Sequence, residues 1–410
     1  MRLLTSRVLL IAALLSGCEG TISSADPDDA GATGVGTATG GGATNGGGAT
    51  GGGTSTGGGP TGGGNATGGG QATGGGSATG GGGGSSNVDA GLELVHFIGR
   101  FDTSGTSPTF EWSGSQLTTE FTGTGVGVTL SGSPAQFAVI VDQGTPTLLD
   151  FTGTSGVHTL ASGLSNGPHT VTLSRRTEAF LGPVSFEGFT VTGGALVASP
   201  PPYAHRIEVI GDSISCGYGD EGVGPSCGFT PDTENEWLAW GSLTARALGA
   251  EHHTVAWSGK GVYRNGDGSM TELIPVLYDR TIPTDPNSTY DHASWVPEVI
   301  LIDLGTNDFA IGDPGAPYAM AYEAFVTRLR TLYPDAWIFC AAGPITLQYA
   351  PAVEGVVASR TQAGDQRIRS VRFPQQDGSL GFGCDYHPNL ATHQQLADTI
   401  TPLIRAATGW

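Results

Sequence analysis

Basic side chains are scarce in this chain of 410 residues. Lys and Arg number 17 against 37 Asp and Glu, a formal charge of −20, and nowhere do they cluster. A phosphate backbone requires a cationic footprint, so this composition argues against a nucleic-acid partner. Charged residues amount to only 13%, whereas glycine contributes 70 residues. An ordinary globular chain holds roughly 7% glycine and about 25% charged residues. The excess therefore marks a low-complexity segment joined to folded material, and the acidity reads as solubility in an exported protein. At about 100 to 200 residues per domain, the remainder has room for two domains.

Long hydrophobic runs are also missing, and no stretch reaches the 18 or so apolar residues of a transmembrane helix. Val8 to Leu15, with Arg2 and Arg7 before it, is too short to span a bilayer and reads as the h-region of a signal peptide. Leu15-Ser16-Gly17-Cys18 then resembles the bacterial lipobox. Residues 1–18 are accordingly expected to be a lipoprotein signal. Cys18 would be lipidated and hold the exported protein at a membrane, facing the periplasm or the cell exterior. Residues 19–90 lack large apolar side chains and repeat GGG blocks with Ala, Thr and Ser. Such a segment cannot build a core and behaves as a flexible tether with a span on the order of 45 Å.

Helical periodicity is absent from residues 91–200. Short apolar or alternating runs occur at Phe110 to Trp112, Val126 to Leu130, Phe137 to Val141, His169 to Leu173 and Val184 to Phe186, with turn residues between them. This spacing predicts an all-β sandwich of jelly-roll type, closed by the stiff Pro200-Pro201-Pro202. Residues 203–410 instead alternate strand and helix, the pattern of an α/β domain with a parallel sheet covered on both faces. Strands are expected at Ile207 to Ile210, Val299 to Leu304 and Trp337 to Ala342. Helices are expected from Thr233, burying Trp237, Trp240, Gly241, Thr244, Ala247 and Leu248, and over Leu390 to Ala406.

The polar residues fit for chemistry follow these strands, at the sheet edge where open α/β folds bind ligands. Ser213 sits in the turn after the first strand, Asn307 follows the central one, and His387 precedes the last helix. A serine hydroxyl attacks a carbonyl only when a base takes its proton, and imidazole is suited to that. The oxyanion then needs donors already aimed at it, which an Asn amide and backbone N–H groups supply. The chain lacks the Gly-x-Ser-x-Gly elbow, which argues against the α/β-hydrolase route to the same chemistry.

At these residues the chain resembles the SGNH (GDSL-type) hydrolases. Gly211-Asp212-Ser213 matches the nucleophile block and Gly259, within Ser258-Gly259-Lys260-Gly261, the glycine block. Gly305-Thr306-Asn307-Asp308 and His387-Pro388 match the remaining two in order. The run Ile207 to Gly219 is similar to carbohydrate esterase family 2, as are His96 to Asp102, Phe110 to Gly114 and Arg175 to Ala179 upstream. The resemblance covers about residues 93 to 410. It implies a jelly roll followed by a three-layer α/β/α hydrolase domain, and removal of acetyl groups from plant polysaccharides such as xylan and glucomannan. Ser213 would be the nucleophile and His387 the general base, with Asn307 and the N–H groups of Gly259 and Ser213 forming the oxyanion hole. No metal or organic cofactor is implied, and a monomer is expected. Two other readings are a GDSL-type lipase or esterase on lipid or peptidoglycan esters, and a carbohydrate-binding protein with an inactive hydrolase domain.

One block departs from the family pattern. SGNH hydrolases usually carry Asp three residues before the histidine; here Cys384 stands there, and Asp385 is two before. Either Asp385 touches the ring or a backbone carbonyl orients His387, and a dyad with Asp385 structural is the favoured reading. After Cys18, four cysteines remain and allow three pairings, of which Cys216–Cys227 with Cys340–Cys384 is expected. Sugars stack on aromatic faces, so Tyr218, Trp257 and Tyr386, near the site loops, are candidate substrate contacts, and the resemblance to family 2, which places an aromatic platform soon after the position of Gly343-Pro344, puts Tyr349 first. His252, His253 and His393 lack metal-ligand spacing and read as structural. Asn265 to Ser269 reads as a turn, and Asp308 as a loop anchor.

Overall fold

The computed structural model describes residues 91–410. The expected signal, the lipidated Cys18 and the tether over 19–90 lie outside the described residues.

The first body is built from nine antiparallel strands: β1 (Val95–Ile98), β2 (Phe101–Asp102), β3 (Thr109–Phe110), β4 (Gln116–Gly132), β5 (Ala135–Val141), β6 (Thr147–Phe151), β7 (Gly156–Arg175), β8 (Val184–Thr192) and β9 (Ala195–Ala198). The long strands β4 and β7 pair along most of their length, with register shifts between Gly123 and Gly125 and between Val126 and Gly127. Past those shifts β4 exchanges neighbours. Its first half pairs with β1 and β9, its second half with β8. The bulges thus let one strand pair serve two layers, which close on Phe110, Leu117, Phe121, Val128, Phe137, Val171 and Phe186.

The second body is a five-stranded parallel sheet of β10 (His205–Gly211), β11 (Ala250–Ala256), β12 (Val299–Asp303), β13 (Trp337–Ala342) and β14 (Ile368–Arg372), in the order β11-β10-β12-β13-β14. The central strands β12 and β13 are nearly continuous apolar runs because both faces are covered, whereas β10 and β11 also bury Glu208, Glu251, His252 and His253. Helices α1 (Ser213–Cys216), α2 (Trp240–Leu248), α3 (Ile274–Leu277), α4 (Ala316–Leu332), α5 (Ala350–Gln362) and α6 (Leu390–Thr408) complete the domain. One core gathers α4 and α5 on the sheet, the other α2 and α6. The strand order reverses at β10, which has β11 on one side and β12 on the other, so a crevice opens at their carboxyl ends.

Helix α2 begins seven residues later than the expected start at Thr233. Residues 231–238 instead form two 3-10 turns that turn Glu234 and Glu236 inward, and Ala247, expected on the buried face, is exposed. Buried charges also join the two bodies. Arg100 donates to the carbonyls of Tyr278 and Arg280 and to Glu208, Glu111 accepts from Thr284, and Glu178 accepts from Ser258. Each of the three upstream segments that resemble family 2 therefore sends at least one buried charged side chain into the α/β domain.

Candidate active site

Strand β10 ends at Gly211, and the chain turns at once into α1. Asp212 is its N-cap, its Oδ1 accepting the Ile214 N–H at 3.1 Å. Ser213 is the first residue of that helix, so its own N–H has no intrahelical acceptor. Gly259, after β11, has φ +79°, a conformation that favours glycine, and a side chain there would project into open space. Among the described residues neither N–H finds an acceptor.

His387 approaches from the loop before α6. Its Nε2 lies 2.9 Å from Ser213 Oγ and its Nδ1 3.2 Å from the Cys384 carbonyl oxygen. A carbonyl can only accept, so Nδ1 carries the proton and Nε2 turns its lone pair to the serine hydroxyl. Burial holds the imidazole below the usual histidine range, opposed by the bonds to Cys384 and by the charge of Asp385. The ring is therefore neutral and ready to accept a proton near neutral pH.

Asp385 does not touch the ring. Asp385 and Tyr386 have φ of 51° and 61°, so the segment is not extended and the carboxylate is turned aside from the imidazole. The Asp385 carboxylate instead accepts the Tyr218 hydroxyl at 2.7 Å, and the Tyr218 ring lies on His387 at 4.3 Å between centroids. Tyr218, read as a substrate contact, thus packs on the histidine.

The cysteine pairing differs from expectation on both counts. Cys227 is bonded to Cys384, with 4.7 Å between Cα atoms, and Cys216 and Cys340 are free and buried. Cys216 closes α1 and directs its thiol to Glu178, while Cys340 lies inside β13 in the core; neither meets another cysteine. The disulfide ties the histidine loop, through the very residue whose carbonyl orients His387, to the loop after α1.

Asn307 donates through Nδ2 to Asp212 Oδ2 at 2.9 Å and to the Lys260 carbonyl at 3.0 Å. Both amide hydrogens thus have protein acceptors. Burial raises Asp212 to about 7, with the carboxylates of Asp308 and Glu178 adding to it. Asp308 accepts the N–H groups of Val262, Tyr263 and Arg264, and Asn265 Oδ1 accepts that of Gly261. The glycine loop is thus secured from two sides, and the Asn265 to Ser269 turn closes on its own side chains.

Tyr349 is fully buried, with its hydroxyl between Asp303 Oδ1 at 3.0 Å and the Gly343 N–H at 2.8 Å. Its ring occupies the place a side chain on Gly305 would need, 2.4 Å from the nearest atom. It supports the floor of the site and cannot stack on a sugar. Trp257 is half-buried against the core with Lys260 over its ring, and Tyr386 is exposed. Two aromatics escaped the sequence reading. Phe229 lies 5.2 Å from Tyr218 and Phe180 lies 5.1 Å from Phe229, extending an aromatic wall outward from the histidine. Phe180 comes from the β-sandwich, so no local pattern ties it to the site. His393 is buried, accepts the Trp240 N–H and is pushed down to about 3 by burial; His252 bonds Ser242, and His253 stacks on Trp295.

A serine and histidine at the switch point of this sheet, preceded by an antiparallel β body, define a GDSL-type hydrolase domain of the SGNH class. Residues 97–201 match the Carbohydrate esterase 2 N-terminal family and residues 209–395 the GDSL-like Lipase/Acylhydrolase family. The cellulase/esterase CelE of Acetivibrio thermocellus is 40% identical over 324 residues, 77% of this chain and 40% of that protein. The chain thus spans less than half of that relative. An acetylxylan esterase / glucomannan deacetylase of Cellvibrio japonicus is 30% identical over 74% of this chain and 87% of that protein. A family two carbohydrate esterase from Clostridium thermocellum, solved with cellohexaose, superposes with a TM-score of 0.75 at 39% identity, over 77% of this chain and 99% of that one. The chain belongs to carbohydrate esterase family 2 and carries that family's carboxylic ester hydrolase domain.

Proposed function

We propose that the protein removes O-acetyl groups from plant cell-wall polysaccharides, acetylated xylan or glucomannan, through an acetyl-enzyme. The observation that carries this is the 2.9 Å contact of Ser213 Oγ with His387 Nε2 beside the unspent N–H groups of Ser213 and Gly259. Ser213 Oγ attacks the acetyl carbonyl as its proton passes to His387 Nε2. The two N–H groups and one hydrogen of Asn307 bind the oxyanion. His387 returns the proton to the departing sugar hydroxyl, and water, activated by the same imidazole, hydrolyses the acetyl-enzyme to acetate.

His387 acts in a dyad. The Cys384 carbonyl selects its tautomer, and Asp385 supports it through Tyr218 and through its charge. The wall of Tyr218, Phe229 and Phe180 offers apolar faces to sugar rings. Similarity to the deacetylases supports the polysaccharide as substrate. The lipobox ending at Cys18 supports an exported lipoprotein held at a membrane, with the tether carrying the catalytic part outward.

The test is acetate release from acetylated xylan and acetylated glucomannan, with Ser213→Ala and an octanoyl ester alongside. Release lost in the variant, with little turnover of the octanoyl ester, is the expected result. No release by a folded protein, or preference for the longer chain, would overturn the assignment.

A further inference from the structure

The segment Arg175 to Ala179 belongs to the β-sandwich, and the acyl-transfer site described above makes no use of it. Its Glu178 is nonetheless fully buried against that site. Glu178 Oε2 accepts the Ser258 N–H at 2.7 Å and Oε1 accepts the Ser258 hydroxyl, so the carboxylate grips one residue twice. Ser258 immediately precedes Gly259. The same Oε2 lies 3.6 Å from the thiol of Cys216, the last residue of the helix that begins with Ser213. One carboxylate therefore bridges the two segments that present the unspent N–H groups.

The bridge has its own supports. The Glu178 N–H donates to Glu234 Oε2 at 3.1 Å. The Arg175 guanidinium donates to the carbonyls of Thr177, Glu178 and Gly182, and Arg176 to that of Glu234. Burial and the Glu178 charge push Glu234 well above the ordinary carboxylate range, burial raises Glu178 as well, and the Ser258 N–H and hydroxyl make Glu178 the acceptor of the pair. Glu178 thus accepts from Ser258 and Cys216 and from neither of the two free N–H groups. Beyond Gly259 the loop is held from the other side, where the Gly266 N–H donates to the Gly259 carbonyl at 2.8 Å. The peptide between Ser258 and Gly259 is therefore clamped at both ends, which sets the direction of the Gly259 N–H.

We propose that Glu178 of the β-sandwich is a positioning residue for ester hydrolysis, holding the Gly259 and Ser213 N–H groups at the mutual geometry an oxyanion requires. The N-terminal body then contributes to catalysis directly, besides any part in binding. The inference rests on the acyl-transfer reading of Ser213. Oxyanion donors act only when already aimed, and loss of one costs about 100- to 1,000-fold in kcat, so a misdirected donor costs a part of that.

Glu178→Gln keeps the shape but replaces the charged acceptor of the Ser258 N–H by a neutral amide oxygen and forces the Ser258 hydroxyl to turn from donor to acceptor, which loosens the grip. With p-nitrophenyl acetate as substrate, kcat should fall about 10- to 100-fold while KM changes less than about threefold. Affinity for a phenylboronic acid, whose tetrahedral adduct with Ser213 mimics the intermediate, should fall in parallel. Glu111→Gln is the matched control. Glu111 is equally buried and grips the N–H and hydroxyl of Thr284, on the loop leading from α3 to β12, which carries no site residue. It should lower the melting temperature comparably and leave kcat within about twofold.

An unchanged kcat in folded Glu178→Gln, an equal loss in both variants, or a loss wholly in KM overturns the proposal. If Glu178→Gln does not fold, Ser258→Ala removes only the hydroxyl contact. A kcat reduced several-fold at constant KM then supports the proposal, and a wild-type kcat overturns it. Turnover of the simple ester without any of polysaccharide would remove the substrate reading and leave this one intact. Full activity in Ser213→Ala would remove both.

Discussion

The two halves of the dyad are mounted differently. Ser213 is held by local means: a strand end, an Asp cap within two residues and the first turn of a helix. His387 is held from a distance, by a disulfide from Cys384 to Cys227 across 157 residues, by a carbonyl, and by a tyrosine bonded to Asp385. A nucleophile needs only exposure and a partner, and a tight turn supplies the first. A base must also be fixed in tautomer and direction, and with no carboxylate on its ring that task falls to the loop as a whole. The difference teaches that the histidine side is the one open to disturbance without altering any reacting atom.

The largest effects erase the comparison. Ser213→Ala and His387→Ala should each reduce kcat on p-nitrophenyl acetate by on the order of 10⁴-fold or more, since the pair acts as a unit. A residual rate within tenfold of wild type in either would break the dyad assignment. Next comes the disulfide. Cys227→Ser should cost about 2–4 kcal/mol in denaturant unfolding and lower kcat about tenfold with KM unchanged, because the Cys384 carbonyl is no longer held under His387. A phosphonate should still label Ser213 to completion in this variant, only more slowly, because the nucleophile is intact and its base is displaced.

Asp385→Asn sharpens the point at smaller amplitude. It should cost less than about tenfold, far less than His387→Ala, and equal losses would restore Asp385 as a full triad member. The pH profile carries the sign. Burial lowers the His387 pKa and the Asp385 charge raises it, so the acid limb of kcat should lie below the ordinary value of about 6.5. The variant should move that limb further to acid, and movement toward alkali would contradict the electrostatic account. Smallest is Tyr349→Phe, which removes the hydroxyl from between Asp303 and Gly343. A loss of about 1–2 kcal/mol in stability with KM unchanged is expected, whereas a raised KM would return Tyr349 to the substrate surface.

Much of the architecture was legible because burial imposes periodicity. Val299 to Leu304 could be read as a central strand since all but Asp303 are apolar, and the alternating runs upstream marked a sheet with two unlike faces. Where burial depended on another body, the reading failed. Thr233 to Ala239 looked like the start of a helix, yet Glu234 and Glu236 are drawn into the interface and the chain forms 3-10 turns. Tyr349 looked like a platform by its nearness in sequence to the site loops, but its hydroxyl finds partners on β12 and on the Gly343 loop and pulls the ring inward.

By itself, the sequence determined an all-β body followed by an α/β body with a parallel sheet, and the family blocks that hold Ser213, Gly259, Asn307 and His387, because each block is a short local motif. Only the tertiary structure decided which cysteines meet, that a carbonyl takes the carboxylate's place on His387, and that Glu178 of one body grips Ser258 of the other. Those contacts join residues from 3 to 157 positions apart. Their existence depends on loop directions and packing across a domain interface, and no periodicity or spacing along the chain encodes such distances.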